Sequence, residues 1–474
     1  MNIPAHNARP LAPQDHPPDA VPSDPRPIPQ LRGGLPLLGH ALAFQRDPLT
    51  LLERGWREHG EVFQFRLGSQ DCVLLAGPEA HDAYFRAPDD QLSAREVYQF
   101  TVPIFGQGVA YDASPEIMAE QLGFLAPMLK GTPMRNYVQL MREEAVRYTE
   151  DWGREGELDL LSVTNELTMN VASRCLLGQE VREHLNAEFA RLFDDLQGGI
   201  NTLGLFFPRL PIPAHRRRDR ARREVVSLMS RILAERRRRG HHTEDFMQAL
   251  MDARYADGRS LSDDEITGLL LTVLFAGQHT SAVLAAWVGI DLLQHRHYLA
   301  TVLAEIQDLY GLGQALSLDS LKQQGMLERA VREAERLHPP LIVLVRKVLR
   351  AFEYGGYRLP AGTLVMVAPL LAHRLPTVFS HPERYDPDRF AAPREEHKQH
   401  AYALIGFGGG RHRCLGIHFA YLQVKVLWTV LLSRFELELA SPASKPNYGS
   451  WVTGPCHPCR VHYRRRTVPI GPGI

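Results

Sequence analysis

The stretch best suited to chemistry is Phe407-Gly-Gly-Gly-Arg-His-Arg-Cys-Leu-Gly416, which sets one cysteine, Cys414, behind a glycine run and three basic side chains. Consecutive glycines form a tight turn with unblocked backbone N–H groups. Those N–H groups, with Arg411, His412 and Arg413, favour an anion: the Cys414 thiolate itself or a nearby carboxylate. A thiolate aimed at an apolar pocket is the ligand that a haem iron needs when the O–O bond is to be cleaved. A structural cysteine beside a Gly-rich turn is the plainer alternative. A second candidate is Ala276-Gly-Gln-His-Thr-Ser281. Ala276 and Gly277 leave side-chain room there, and Thr280 can bond back to a carbonyl and open a helix locally, making space for oxygen and water. Glu333 and Arg336, three apart, share a helix face and can pair, although exposed pairs of this kind contribute little.

These residues need elements to hold them. Ser262 and Glu265 make a capping box that opens a helix running to about His295. At ~1.5 Å per residue such a helix crosses a whole domain. Leu269–Ile290 is apolar enough for a membrane span, but Gly277-Gln-His-Thr280 at its centre argues for a buried central helix. Asp47-Pro48 starts a helix reaching Gly60, with Leu49, Leu52 and Trp56 on one face. Phe63, Phe65 and Leu67 alternate with polar residues, and Gly68–Asp71 turns the chain back into Cys72–Leu75 as a hairpin. Tyr98–Asp112 reads as an aromatic loop broken by Pro103, Gly106 and Gly108. Ile417–Leu432 reads as a helix, Phe435–Leu439 as a strand and Cys459–Arg466 as a closing hairpin. The expected fold is mainly α with a smaller β region.

The chain has 474 residues, 44% of them hydrophobic, enough for a sizeable core. Lys+Arg and Asp+Glu balance at 54 each, so no net field draws the protein to nucleic acid. Residues 1–33 are Pro-rich and polar, neither a signal peptide nor a membrane anchor, and are expected to be disordered ahead of one domain over 34–474. Five cysteines, an odd and sparse set, indicate a reducing, cytoplasmic setting. Cys456-His-Pro-Cys459 has the spacing of half a zinc site, with no second half nearby, and otherwise reads as a tight turn. Leu203–Phe207 suits a channel roof, a membrane-dipping segment or core. The basic runs His215–Arg223 and Arg236–Arg239 read as solvated helix faces, or as a peripheral patch for anionic lipid.

Phe407, Gly410, Cys414 and Gly416 stand at the offsets of the cysteine-ligand loop of the cytochrome P-450 superfamily, which the chain resembles from about residue 34 onward. Glu333 and Arg336, with Arg389 of Pro387-Asp-Arg-Phe390, match that superfamily's buried ion network. The resemblance implies a single-domain fold with haem b between the central helix and the loop, its iron bound by Cys414. Three features are similar to the sterol 14α-demethylase branch: His412 where most members have Arg, Ala276–Ser281, and Tyr98–Asp112. On that resemblance Leu341–Arg346 is the substrate-facing strand that follows Glu333 and Arg336, Tyr98 and Arg346 serve haem propionates, and Phe100, Phe105, Leu341 and Val343 line the substrate cavity. Phe100 further resembles plant-like members that prefer sterols with a single C4 methyl. Ala276, Gly277, His279 and Thr280 would handle oxygen and its protons. The implied activity is oxidative removal of a sterol 14α-methyl group, using O2 and electrons from a ferredoxin or a flavoprotein reductase. The basic residues usual after Asp112 are replaced by Ile117-Met118-Ala119, the next cation being Lys130, so one propionate contact and the usual donor-docking surface differ. Two alternatives stay open: a monooxygenase acting on another terpenoid or a fatty acid, and a non-catalytic haem-thiolate lipid-binding or sensor protein.

Overall fold

Side-chain caps and first-turn prolines begin most of the principal helices in a computed structural model, which describes residues 25–183, 187–200, 207–240, 245–441, 444–471 and 474. Helix α1 spans Pro48–His59, with Asp47 accepting the Thr50 N–H at 3.1 Å. Helix α2 is Pro115–Leu125, capped by Ser114, α3 is Gly131–Tyr148, and α4 is Leu160–Ala172, capped by Asp159. Helix α5 is Pro213–Arg239 and α6 is Asp263–Gln294, opened by the Ser262/Glu265 capping box. Helices α7 and α8 are Gly325–Leu337 and Ile417–Arg434. Within α6 every residue from Ser281 to Leu293 is buried. A helix enclosed on all sides needs no polar face, and α4, α7 and α8 pack around this one. Two helical stretches, Asp263–Gln294 and Gly410–Arg434, are long and apolar enough to cross a membrane, but 61% and 78% of their most apolar windows is buried inside the protein.

The strands are β1 (Val62–Leu67), β2 (Gln70–Leu75), β3 (Leu92–Ser93), β4 (Glu155–Asp159), β5 (Leu344–Val348), β6 (Phe352–Tyr354), β7 (Tyr357–Leu359), β8 (Leu364–Val367), β9 (Phe435–Leu439) and β10 (Arg460–Arg465). One sheet has the order β1-β2-β8-β5-β3, with β2 and β8 parallel; another has the order β4-β10-β9. In β1, Phe63 and Phe65 are buried whereas Arg66 is exposed, the alternation of a sheet with one face on a core.

Several expectations are corrected. The fold begins before residue 34: Arg26 bridges to Tyr357, and the buried Leu31 donates its N–H to the Gln64 carbonyl at 2.8 Å. Tyr98–Asp112 is a chain of short helical turns, Tyr98–Thr101, Val102–Phe105 and Ala110–Asp112, with Pro103 inside the first turn of its helix where no N–H is missed. The strand after Arg336 begins at Leu344 rather than Leu341. Cys459–Arg466 forms no hairpin; β10 inserts as a single strand between β4 and β9. The basic runs lie on α5 and are only partly solvated. His215, Arg218, Arg222 and Arg236 are buried, because a 3.6-residue period turns every third or fourth side chain inward. Arg236 there meets Glu180 and Asp245, each at 2.6 Å. Of Leu203–Phe207, all but the exposed Phe207 lies outside the described residues.

Glu333, Arg336 and Arg389 are fully buried together. Arg336 donates twice to Glu333, at 2.7 and 2.9 Å, and Arg389 Nε lies 3.1 Å from both Glu333 oxygens. Arg389 also donates to Glu396 at 2.7 Å, a fourth member that sequence spacing did not point to. Removing one partner of a buried ion network strands the others, at a cost of about 3–5 kcal/mol. Glu333→Ala is therefore expected to lower unfolding stability by about that amount, read from urea denaturation followed by circular dichroism.

Candidate active site

The loop before α8 is shaped by backbone contact. Gly410 has φ +59°, and a Cβ there would sit 2.3 Å from the Phe85 carbonyl oxygen, so only glycine lets the turn lie against the end of the helix Pro78–Arg86. The Cys414 N–H donates to the Phe407 carbonyl at 2.9 Å, closing the loop, and the Phe407 ring stands edge-on to Tyr421 at 5.5 Å. Cys414 is exposed as a residue, yet its thiol lies deep enough for burial to push its pKa up. The backbone N–H groups of Gly416 and Ile417 and the Arg413 charge act against that rise, as they would for a bound thiolate. Gly416 is also the residue from which α8 starts.

A polar cluster adjoins the loop. Arg346, 2% exposed, donates to the Tyr84 carbonyl at 2.8 Å and lies over the Tyr84 ring at 4.5 Å. Tyr98 stacks on Tyr111 at 4.5 Å. Burial raises the pKa of both phenols; Tyr111 also feels the Cys414 sulfur, and Arg346 pulls both back down. His412 Nε2 meets Asp89 at 2.6 Å, with Arg411 3.5 Å from the same carboxylate. Burial works to raise the Asp89 carboxyl, but the His412 hydrogen bond and the charges of His412, Arg411 and Arg346 outweigh it and hold it below the usual range. The structure thus brings Cys414, His412, Tyr98 and Arg346 into one neighbourhood, and adds Tyr111 and Asp89.

Helix α6 presents one accessible face in its middle: Val273, Ala276, Gly277 and Thr280 are uncovered where Leu274, Gln278 and Ser281 are buried. Among the described residues a Cβ on Gly277 would touch only Leu176, at 3.6 Å, an ordinary contact that leaves room for a side chain there. Thr280 Oγ1 donates back to the Ala276 carbonyl at 2.6 Å. Burial lowers the pKa of His279, which is therefore a neutral imidazole near pH ~7. Phe105 stands edge-on to Phe275 of α6 at 5.7 Å, and Phe100 edge-on to Trp451 at 5.0 Å. Trp451 carried no signal in the sequence; it reaches this wall from a loop between β9 and β10. Leu341 borders the helical core shared with Phe275 and Phe407, whereas Val343 borders the sheet core, so the two meet different clusters.

The donor set fits a haem. A soft sulfur with N–H groups beside it suits iron, and the separate group of Arg346, His412, Tyr98 and Tyr111 suits propionate carboxylates at one edge of an apolar disc. Ile117, Met118 and Ala119 bring no cation to α2, whose first turn carries the exposed Glu116 instead. Cys459 is buried with its sulfur 3.2 Å from Ser444 Oγ, while Cys456 is exposed.

Glu335 was also missed, because within Glu333-Ala-Glu-Arg336 it resembles a solvated helix residue. It is 2% exposed, accepts the Tyr421 hydroxyl, and lies close enough to the loop that a Cβ on Gly406 would be 2.4 Å from its oxygen. Burial pushes its carboxyl up to about 7, despite the Tyr421 hydrogen bond and the Arg332 and Arg413 charges. A carboxyl whose pKa is raised on folding adds stability that is fully present below the unfolded value of ~4.3 and is lost as pH rises through the folded one. The melting temperature is expected to fall between pH ~5 and ~8, and Glu335→Gln is expected to flatten that slope, the difference amounting to about 3 kcal/mol at most. Differential scanning calorimetry across that range checks it.

Residues 29–455 match the family model described as cytochrome P-450. The chain is 40% identical to obtusifoliol 14-alpha demethylase of Triticum aestivum, covering 94% of this chain and 99% of that one. It is 38% identical to sterol 14alpha-demethylase of Mycobacterium bovis, covering 93% and 98%. Among solved structures, retinoic acid bound cyanobacterial CYP120A1 superposes with a TM-score of 0.83 at 25% identity, covering 93% of this chain and 99% of that one. A cysteine-loop site, a central helix with an open middle and these matches lead to one conclusion: the chain belongs to the cytochrome P-450 family.

Proposed function

We propose that this protein is a haem-thiolate monooxygenase that removes the 14α-methyl group of a sterol precursor, with haem b held by Cys414. One observation carries the reading: the Tyr98–Asp112 segment reaches the cysteine loop through Tyr111 and the central helix through Phe105. A single stretch of chain therefore roofs both halves of the site. The names of the wheat and mycobacterial relatives support the same reaction. The haem supplies electron transfer and oxygen activation; the chain supplies ligand, shape and protons. Cys414 offers a sulfur whose charge is balanced by the Gly416 and Ile417 N–H groups. Tyr98, Arg346 and His412 would hold the propionates. Phe100, Phe105 and Leu341 exclude water and set the methyl group beside the reacting centre. His279, neutral, can accept a proton at one ring nitrogen while donating from the other, and Thr280 can pass it on once its hydroxyl turns from the Ala276 carbonyl. The substrate methyl leaves as formate with a new double bond in the sterol. Electrons come from an external ferredoxin or flavoprotein reductase in a cytoplasmic setting, and the lack of cations at Ile117–Ala119 sets that docking apart from the usual one.

A second reading, oxidation of another terpenoid, draws on the retinoic acid bound neighbour. Spectral titration of the purified haem protein separates the two. Obtusifoliol is expected to give a saturating low-to-high-spin shift, lanosterol a weaker one, and a fatty acid none. A response to retinoic acid alone would move the function to the second reading. For the proton path, Thr280→Ala is expected to lower product formed per NADPH by about tenfold or more, the scale of a lost proton-transfer group, measured as the ratio of product to NADPH consumed.

A further inference from the structure

The segment that roofs the site is fastened from outside by a residue the reaction does not use. Arg222 of α5 is 9% exposed. Its Nη2 donates to the Phe105 carbonyl at 3.2 Å and pairs with Asp264, in the first turn of α6, at 3.0 Å. The fit around that carbonyl is close. A Cβ on Gly268 of α6 would sit 2.0 Å from the Phe105 oxygen, and a Cβ on Gly106 would sit 2.9 Å from Arg222 Nη2 and 3.1 Å from Asp264. Both positions have to be free of a side chain for the carbonyl to lie between α6 and the guanidinium.

We propose that Arg222 is a positioning residue that sets the specificity of the substrate cavity, by clamping the Phe105 backbone between α5 and α6. This inference rests on the reading above that Phe105 lines the cavity. The ring of Phe105 packs on Phe275, which in turn contacts Phe193 at 4.5 Å, so a shift of the Phe105 backbone moves a whole aromatic wall. A charged donor to a carbonyl out of bulk water is among the stronger hydrogen bonds. Arg222 Nε and Nη1 find no acceptor among the described residues, so its hold on the segment is the single Nη2 bond to the Phe105 carbonyl; the far end is tied separately by Gln121, which donates to the Gly108 carbonyl at 2.8 Å. Burial works to lower the Arg222 pKa, and Asp264 acts against it, keeping the guanidinium charged. Arg222 and Asp264 line a surface cleft of about 410 Å³ together with Pro103, Gly106 and Arg223, and Asp264 is half-exposed, so solvent reaches the carboxylate end of the pair.

The test is amide hydrogen exchange on the ferric haem protein without sterol, combined with steady-state kinetics. Arg222→Ala is expected to speed exchange across residues 102–109 by about tenfold, the size of one hydrogen bond to a charged donor. Exchange across 417–434 and the Soret band of the reduced carbon monoxide complex should stay as in the unaltered protein. Asp264→Asn, which leaves the bond to Phe105, is expected to change exchange by less than about threefold. With a 14α-methyl sterol, Arg222→Ala should raise KM by about tenfold with kcat within about twofold. Exchange in 102–109 that is unchanged, or that rises equally throughout the protein, overturns the clamp. A local rise in exchange with KM unaltered overturns the role in specificity. If the unaltered protein turns over no sterol, the proposed function fails, while the exchange comparison still decides the clamp. Arg222→Lys, a point charge without the planar fork, should fall between the two.

Discussion

Two fully buried guanidinium groups are held here by one carboxylate that faces both, with Glu396 as a second carboxylate on Arg389. Glu333 accepts from Arg336 and Arg389 together, and its oxygen also takes the Asp386 N–H at 2.7 Å. Arg336 donates onward to the carbonyls of His373 and Pro382, at 2.8 and 2.7 Å. His373 is fully buried and kept neutral; its Nε2 accepts the Ile405 N–H at 2.9 Å, so its Nδ1 carries the proton toward the Arg336 carbonyl. Ile405 leads directly into the turn that carries Cys414. The charges in α7 thus reach, through His373, the point where the turn that carries the sulfur begins, and the glycine contacts shape the rest of it.

The same economy shows on the opposite side. Tyr98–Asp112 does two jobs with one short stretch: its phenols face the basic cluster, and its phenylalanines face the apolar wall. Short helical turns let it do so, because consecutive residues then point to different sides within a few ångströms. A regular strand would have offered only two faces, and a long helix would have carried its ends apart.

What was legible in the sequence had local signals. The capping box of α6, the alternation in β1 and the Gly-rich turn before Cys414 are each decided within a few residues. Buried arginines of α5 were not legible, since whether Arg236 is solvated depends on Glu180 and Asp245 folding against it. Glu335 escaped for the same reason: a carboxylate between Glu333 and Arg336 looks exposed until Tyr421 of α8 supplies its hydrogen bond. Trp451 sits in a loop without periodicity, and long-range ties, such as the Thr453 N–H to the Pro340 carbonyl, bring that loop to Phe100. The mistaken hairpin at Cys459–Arg466 arose because an apolar, β-prone stretch near a turn looks alike whether its partner is adjacent or far away.

The placement of β10 has a bearing on synthesis. Strands β4 and β9 touch each other only through β10, the strand latest in sequence of the three. Until β10 has been made, β4 has no strand partner among the described residues, whereas the loop bearing Trp451 is already tied to the body through the Thr453 N–H, which donates to the Pro340 carbonyl at 2.8 Å. Contacts between distant parts of a chain are closed late and at an entropic cost. The β4-β10-β9 sheet is therefore closed by the last of its three strands to be made, after the loop that carries Cys414 and the helix that follows it have been synthesised.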